Sequence, residues 1–253
     1  MSVSLRQVCS GLGLSGSVSI CRDVWGFSDA SMPAALSSGR AVPRLSVARF
    51  AQLLRGRHFH VRLIVAGSEL LTNNDQDVLD YAVFRLRDIY AANGIGIAFV
   101  TRDLRTSANS AGHAAVNTSA DIDNAGHDLT ADGDFVPVVV PASMNVTENN
   151  PDGTVNVTLG RSPAPGPCTP RTKEGMNSAV VDISGETTGR TLAHEVGHFL
   201  GAKHPATARG GNLMAQTGAV PAGDDPFFAT VINNPDRETM LGHCTIRHAI
   251  PGI

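Results

Sequence analysis

Residues 191–204 read TLAHEVGHFLGAKH, and this stretch contains the segment His194-Glu195-Val196-Gly197-His198. On an α-helix, residues four apart lie one turn above each other on the same face. Two imidazoles so placed can bind one zinc ion, and the intervening glutamate points at the same cleft. Thr187 or Thr188 is placed to cap the start of such a helix. The segment therefore predicts a metal-binding helix.

The residues after this segment predict a third ligand. Gly201 follows His198 by three residues. A helix that must stop and turn sharply needs a left-handed residue there, and glycine adopts that conformation without steric cost. The turn then lets His204 return as a third metal ligand. Three neutral imidazoles leave a fourth position for water, which is the layout of a catalytic rather than a structural zinc site.

A methionine completes the pattern. Met214 comes ten residues after His204 and ends the tight-turn sequence Gly210-Gly211-Asn212-Leu213. The full set, H-E-x-x-H-x-x-G-x-x-H followed by a methionine turn, resembles the metzincin clan of zinc peptidases. The order of strands and helices from Phe59 onward is also similar to that clan. The resemblance implies an α+β, zincin/metzincin-like fold: a twisted, mixed five-stranded sheet, a long backing helix, an active-site helix and a C-terminal helix.

The resemblance also implies a function and its residues. It implies a secreted, zinc-dependent endopeptidase, a hydrolase of protein or peptide substrates. Catalytic Zn²⁺ would be held by His194, His198 and His204, with Glu195 as the general base that takes the proton of the attacking water. Met214 would form an apolar floor below the metal, and Gly201 would support the turn. The strand Val155–Leu159 would border the cleft and pair with an extended substrate, and residues 215–235 would wall the pocket beyond the scissile bond.

Two other functions stay open. One is a binding or toxin-like module that keeps the zinc fold without turnover, although the intact Glu195 argues against it. The other is a zinc hydrolase of a non-peptide bond, since activated water serves both reactions.

The family within the clan is left unassigned. Pro205 after the third histidine is similar to serralysins. Serralysins and astacins carry a tyrosine two residues after the turn methionine, whereas this chain has Gln216 there and no tyrosine after Tyr90. In this respect the chain resembles matrixin- or reprolysin-like peptidases more closely, but the aspartate that adamalysins favour after the third histidine is absent.

Upstream, the hydrophobic pattern predicts a parallel strand–helix–strand unit. Alternation over Phe59–Val65 indicates a strand, and apolar residues from Leu79 to Tyr90 share one helical face. The residues Asn73–Asp75 offer N-cap oxygens, and Asn93-Gly94 is a C-cap signal. Ile95–Thr101 is the second strand, and a crossover helix favours parallel pairing. The remaining predictions are a polar loop at 103–134, an irregular or edge strand at Phe135–Val140 because of Pro137, strands at Val155–Leu159 and Ala179–Ile183, and a C-terminal helix at Pro235–His248.

The composition limits the classes of protein to which the chain can belong. Of 253 residues, 42% are hydrophobic, so a core can form, and the net charge of −3 argues against nucleic-acid binding through phosphate neutralisation. We expect no membrane span, no clear signal peptide and a monomer. We divide the chain into an N-terminal extension or pro-segment at 1–57, with a short helix at Val47–Leu54, and a catalytic domain at 58–253.

Weaker signals concern latency, calcium and disulfides. Cys21 or Asp29 could ligate the zinc and keep a zymogen latent, but an ordinary cysteine or disulfide partner is the favoured interpretation of Cys21. Aspartates cluster with His127 in the loop after residue 120, and matrixins carry structural Ca²⁺ in a comparable region; a solvated acidic loop is favoured. Cys168 and Cys244 could pair. The acidic set is Asp121, Asp123, Asp128, Asp132 and Asp134.

Overall fold

A computed structural model describes residues 56–130, 134–149, 155–168, 175–205, 211–216 and 229–248. Helices and strands alternate along the first part of the chain, and two helices end it. In chain order the elements are β1 (His58–Ala66), α1 (Asn73–Ala92), β2 (Gly96–Arg105), β3 (Ala115–Val116), α2 (Ser119–Asp128), β4 (Phe135–Pro141), β5 (Ser143–Met144), β6 (Thr147–Asn149), β7 (Val155–Val157), β8 (Gly160–Arg161), β9 (Ala179–Val181), α3 (Thr188–Phe199) and α4 (Asn234–Leu241).

The strand–helix–strand unit is confirmed. β1 and β2 pair in parallel, and α1 crosses between them. Alternate residues of β1, from Phe59 to Val65, are buried against α1 and α3 in the larger core. The N-cap of α1 is Thr72, one residue before the predicted caps, and its hydroxyl and the Asp75 carboxylate form a reciprocal capping box. Asn93 ends the helix, and Gly94 follows with φ 75°.

The central sheet has the strand order β2-β1-β4-β9-β8. Neighbouring strands from β2 to β9 run parallel, and β8 pairs antiparallel with β9. The predicted α+β architecture with a mixed five-stranded sheet is therefore confirmed. Among the described strands β8 is the last in the order, so its outer side is an edge of this sheet.

The fifth strand of the sheet is not the predicted one. Of Val155–Leu159, the part that forms β7 pairs antiparallel with β6 in a separate two-stranded sheet. Val155 and Val157 are 57% and 60% exposed, so this strand is not half-buried. The chain then joins the central sheet three residues after the end of β7, at Gly160.

The prediction of an edge position for β4 is also wrong. β4 lies between β1 and β9 in the middle of the sheet, although it contains Pro137. Its pairing with β9 begins only at Val138, so the missing N–H of Pro137 costs no hydrogen bond on that side.

The predicted polar loop at 103–134 contains a helix. α2 begins after Thr118, whose hydroxyl accepts the Asp121 N–H while the Asp121 carboxylate accepts the Thr118 N–H. Ile122, Ala125 and Leu129 are buried in a second core on the opposite face of the sheet from α1. A helix thus covers each face of the sheet.

The C-terminal helix is shorter than predicted. α4 has Asn233 as its N-cap and ends at Leu241, so His243 and His248 lie beyond it. Gly242 follows the helix, and the chain then turns back toward β1, where the backbone of Arg247 bonds to that of His58. The predicted pairing of Cys168 with Cys244 is confirmed, with a Cα–Cα distance of 6.1 Å.

Some predictions fall outside the described residues. These are the N-terminal extension apart from residues 56–57, with its helix at Val47–Leu54 and with Cys21 and Asp29, and most of the predicted pocket wall, residues 217–228. In the part of the chain that the structure describes, no helix is both long enough and apolar enough to cross a membrane.

Candidate metal centre

α3 and the turn after it bring three histidines together. His194 and His198 lie one turn apart on α3, and both are buried. The helix ends at Phe199, and Gly201 takes φ 101°, in the left-handed region that a side chain disfavours. The Gly201 N–H donates to His198 O over 2.8 Å, which closes the turn and brings His204 back beside the helix.

Backbone carbonyls orient two of the imidazoles. His194 Nδ1 donates to Leu213 O over 2.7 Å, and His198 Nδ1 donates to Ala202 O over 2.8 Å. A carbonyl oxygen can only accept, so the proton of each neutral ring is on Nδ1 and the lone pair is on Nε2. Burial lowers the pKa of His194 to about 3 and that of His198 to about 4, so both rings are neutral at pH 7.

The Nε2 atoms converge on one point. They are 3.0 Å apart between His194 and His198, 2.9 Å between His198 and His204, and 3.2 Å between His194 and His204. Lone pairs that face each other at this distance repel, and a cation between them removes the repulsion. Tetrahedral zinc with Zn–N bonds of about 2.0–2.1 Å separates its nitrogen ligands by about 3.3 Å. The donor set and its spacing therefore fit a zinc ion.

Glu195 lies beside this cluster with an unsatisfied oxygen. The residue is 5% exposed, and its Oε2 has no hydrogen-bond partner among the described residues. Burial raises the pKa of Glu195 to about 8, and the charges of Arg190 and Arg161 act in the opposite direction. A cation held by the three histidines would lower this pKa further, toward the ionised form that a general base needs. A buried carboxylate oxygen without a protein partner is what a site for water or an ion provides.

Sequence reasoning missed two glycines at this site. A Cβ atom on Gly160 of β8 would lie 2.7 Å from Glu195 Cγ, so the edge strand passes directly over the carboxylate. A Cβ atom on Gly197 would lie 2.7 Å from Met214 Sδ. The second contact places the fully buried Met214 against α3 between the two helical histidines. The only sequence signal for this contact was that the residue inside the motif, Gly197, is a glycine.

Other predicted features lie away from the centre. Tyr90 is fully buried on α1, and its hydroxyl donates to Ala193 O over 3.1 Å, so it braces α3 from behind. Thr187 is the N-cap residue of α3, as predicted, but neither its hydroxyl nor that of Thr188 makes a capping hydrogen bond to the helix. Their hydroxyls bond instead to the backbone of Ser184, because a 3-10 turn precedes the helix.

The structure does not support calcium binding by the acidic residues. Each described aspartate of that set has its own partner: Asp121 caps α2, Asp123 pairs with Arg161, Asp128 bonds to both His113 and His127, and Asp134 pairs with Arg247. They are spread over α2 and the start of β4 rather than gathered on one point. Asp132 lies outside the described residues.

One other group has metal-ligand chemistry. Cys168, His243 and Cys244 place their ligand atoms within 4.8 Å of one another. The two sulfurs are joined to each other, however, so neither offers a thiolate to a metal. Among the described residues, the three histidines are the group with free donor atoms.

Comparisons with known proteins assign no family. No protein-family model matches the chain, and no curated protein matches it. The solved structures include metalloproteinase-II from Bacteroides fragilis, at 14% identity over 74% of this chain and with a TM-score of 0.47. This chain spans about half of that protein, 53% of its length. Archaemetzincin from Methanopyrus kandleri is 14% identical over 72% of this chain and 93% of its own, with a TM-score of 0.45. Likeness at this level does not place the chain in a family.

Proposed function

We propose that the protein is a zinc-dependent peptidase of the metzincin type that hydrolyses peptide bonds within protein or peptide substrates. The observation that supports this most is the convergence of three imidazole nitrogens beside a buried carboxylate with an unsatisfied oxygen. A structural zinc site needs four protein ligands, whereas three ligands and an adjacent base are typical of hydrolysis.

His194, His198 and His204 would hold the zinc ion through Nε2. When bound, zinc supplies Lewis acidity, which makes water a stronger acid and polarises a carbonyl group. Leu213 O and Ala202 O keep two of the rings in the tautomer that presents a lone pair to the metal. Met214, buried against Gly197, supports the ligand-bearing face of α3 from below.

Glu195 would move the protons. As general base it accepts a proton from the attacking water, and it then delivers that proton to the amine of the departing peptide. Its side chain occupies the space beside Gly160 that a Cβ atom at that position would fill. Its Oε2 makes no hydrogen bond to any described residue, so this oxygen can accept one from the attacking water.

The edge strand β8 is the proposed substrate contact, in place of the predicted strand Val155–Leu159. β8 is two residues long, lies at the end of the sheet order and passes over Glu195. An extended peptide that adds to this edge would have its backbone beside the carboxylate. The position of β8 at the edge of the sheet, beside Glu195, thus favours an extended peptide chain as the substrate.

The experiment is a cleavage assay of the full-length, zinc-loaded chain on a mixed peptide library, with and without a chelator. We expect cleavage that the chelator abolishes and zinc restores. Glu195→Gln should retain stoichiometric zinc and lose about 10²–10⁴-fold in kcat. The matched control is Glu238→Gln on α4, whose carboxylate is largely exposed, and it should cleave at the wild-type rate.

Two results would contradict the proposal. Cleavage by Glu195→Gln at the wild-type rate would remove the proposed base. A wild-type chain that binds zinc tightly and cleaves no member of the library, both intact and after proteolytic removal of residues 1–57, would favour a silent binding module or a hydrolase of another bond.

A further inference from the structure

A buried arginine lies one helical turn before the first histidine. Arg190 and His194 are four residues apart on α3, so their side chains leave the same face of the helix. Arg190 is 3% exposed. Burial lowers its pKa to about 10, so the guanidinium is still charged at neutral pH. A buried charge of this kind is costly unless it is held by strong hydrogen bonds.

Two acceptors of Arg190 are the carbonyls that flank Met214. Its Nη2 donates to Leu213 O over 2.8 Å and also to Ala215 O. Hydrogen bonds from a guanidinium are shorter and stronger than those between neutral groups. Arg190 therefore binds the methionine turn on both sides of the residue that supports the metal site.

Leu213 O is shared between Arg190 and His194. The same oxygen accepts His194 Nδ1 over 2.7 Å, and a carbonyl has two lone pairs for two donors. Both donors come from α3, and both point to one atom of the turn. The position of this carbonyl, and with it the direction in which His194 presents Nε2, depends on the bonds that fix the turn.

The N–H groups of the turn are fixed from elsewhere. Leu213 N–H donates to Val231 O over 2.8 Å, and Met214 N–H donates to Asn212 Oδ1 over 2.7 Å. These bonds hold the turn to its own neighbours but not to α3. In the described part of the chain, the carbonyl side of the turn is joined to the helix by Arg190 and His194.

We propose that Arg190 is a positioning residue of the metal centre: it fixes the methionine turn to α3, and through Leu213 O it sets the orientation of His194. This inference rests on zinc binding by the three histidines. It adds a residue that touches neither the metal nor the substrate, and it makes Leu213 O the shared contact.

The test compares Arg190→Met with a matched control, Arg87→Met, in the full-length chain. Arg87 is also buried, at 2% exposure, and its guanidinium also donates to two backbone carbonyls, those of Ile97 and Ala98. It lies on α1 and touches none of the zinc ligands. Both variants lose a buried arginine, so a general loss of packing affects both.

The measured quantity is the zinc dissociation constant, by competition with a chelator of known affinity. We expect Arg190→Met to weaken zinc binding about 10–100-fold, as is common when the partner of a metal-ligating histidine is disturbed. Arg87→Met should retain the wild-type constant. The visible spectrum of the Co²⁺-loaded protein, which reports ligand geometry, should change in Arg190→Met and not in Arg87→Met.

The outcomes separate this inference from the proposed function. A wild-type chain that binds no zinc would overturn both. Two outcomes would overturn the positioning role alone, provided that the wild-type chain binds zinc. In the first, Arg190→Met has the wild-type zinc dissociation constant and Co²⁺ spectrum. In the second, Arg190→Met and Arg87→Met weaken zinc binding equally. If Arg190→Met does not fold, Arg190→Lys takes its place, because its shorter side chain ends before the position of Nη2; a wild-type constant in that variant would also overturn the proposal.

Discussion

The glycine at the edge of the sheet controls the room available to the proposed base. A Cβ atom on Gly160 would lie 2.7 Å from Glu195 Cγ and 2.9 Å from its Oε1, closer than side chains approach each other in real structures. Gly160→Ala must therefore displace the carboxylate. We expect kcat to fall about 100-fold, the effect of moving a catalytic group by about 1 Å. Zinc content, measured by atomic absorption, should stay stoichiometric because no ligand is touched.

The control for this prediction is Gly242→Ala. Gly242 follows α4 with φ −80°, and the nearest atom to an added Cβ there is 3.4 Å away, an ordinary contact. That variant should have the wild-type kcat. A Gly160→Ala protein with unchanged kcat would mean that the position of Glu195 does not limit the reaction.

At the scale of single residues, the sequence predicted chemistry but not contacts. The histidine spacing and Gly201 are local, since a helix and its end are set by residues close in the chain. The contacts of Gly160 with Glu195, and of Gly197 with Met214, join residues 35 and 17 positions apart in the numbering. No periodicity encodes such an approach, because it depends on how separate elements pack.

At the scale of elements, α2 depends on its cap. Thr118 and Asp121 form a capping box at the start of this helix. Few of its ten residues are apolar and buried, so the cap contributes much of its stability. Thr118→Ala should lower the free energy of unfolding by about 1 kcal/mol, because it leaves a backbone N–H without its acceptor. Urea unfolding followed by circular dichroism measures this change.

Thr118→Ser is the matched control, since it retains the capping hydroxyl, and it should unfold at nearly the wild-type urea concentration. Equal destabilisation by serine and alanine would show that the methyl group, and not the hydrogen bond, stabilises this end of α2.

The same scale explains which elements were predictable. β1, α1 and β2 are long, and their apolar residues recur with a clear period. That period and the capping residues of α1 were enough to predict these elements. α2 was missed because its ten residues carry a short apolar face among aspartates, with Gly126 inside the helix. β8 was missed because two residues cannot show a period. Pro137 was misjudged because the cost of a missing N–H depends on which residues of β9 pair with β4.

At the scale of the whole molecule, α3 is held from several sides. Its apolar residues belong to the core that α1 and the sheet share, and Met240 of α4 closes that core. Gly189 allows a close approach to α1, since a Cβ there would lie 2.6 Å from Arg85 Cβ. Beyond the helix, Gly166 N–H donates to Phe199 O over 2.8 Å, and the ring of His243 packs against Phe199. The helix that carries two of the three histidines is thus fixed at both ends and along its length.

The disulfide acts at this same scale. Cys168 and Cys244 are 76 residues apart, and the loop between them contains α3, the three histidines, the methionine turn and α4. A bridge across such a long loop removes many conformations from the unfolded chain, which stabilises the fold by about 2–4 kcal/mol. The double variant Cys168→Ser/Cys244→Ser should therefore lose about that free energy of unfolding in urea. Its zinc dissociation constant at low temperature should stay near that of wild type, because no ligand or ligand partner is changed. A double variant as stable as wild type would show that packing of Phe199, Gly166 and His243 holds this region without the bridge.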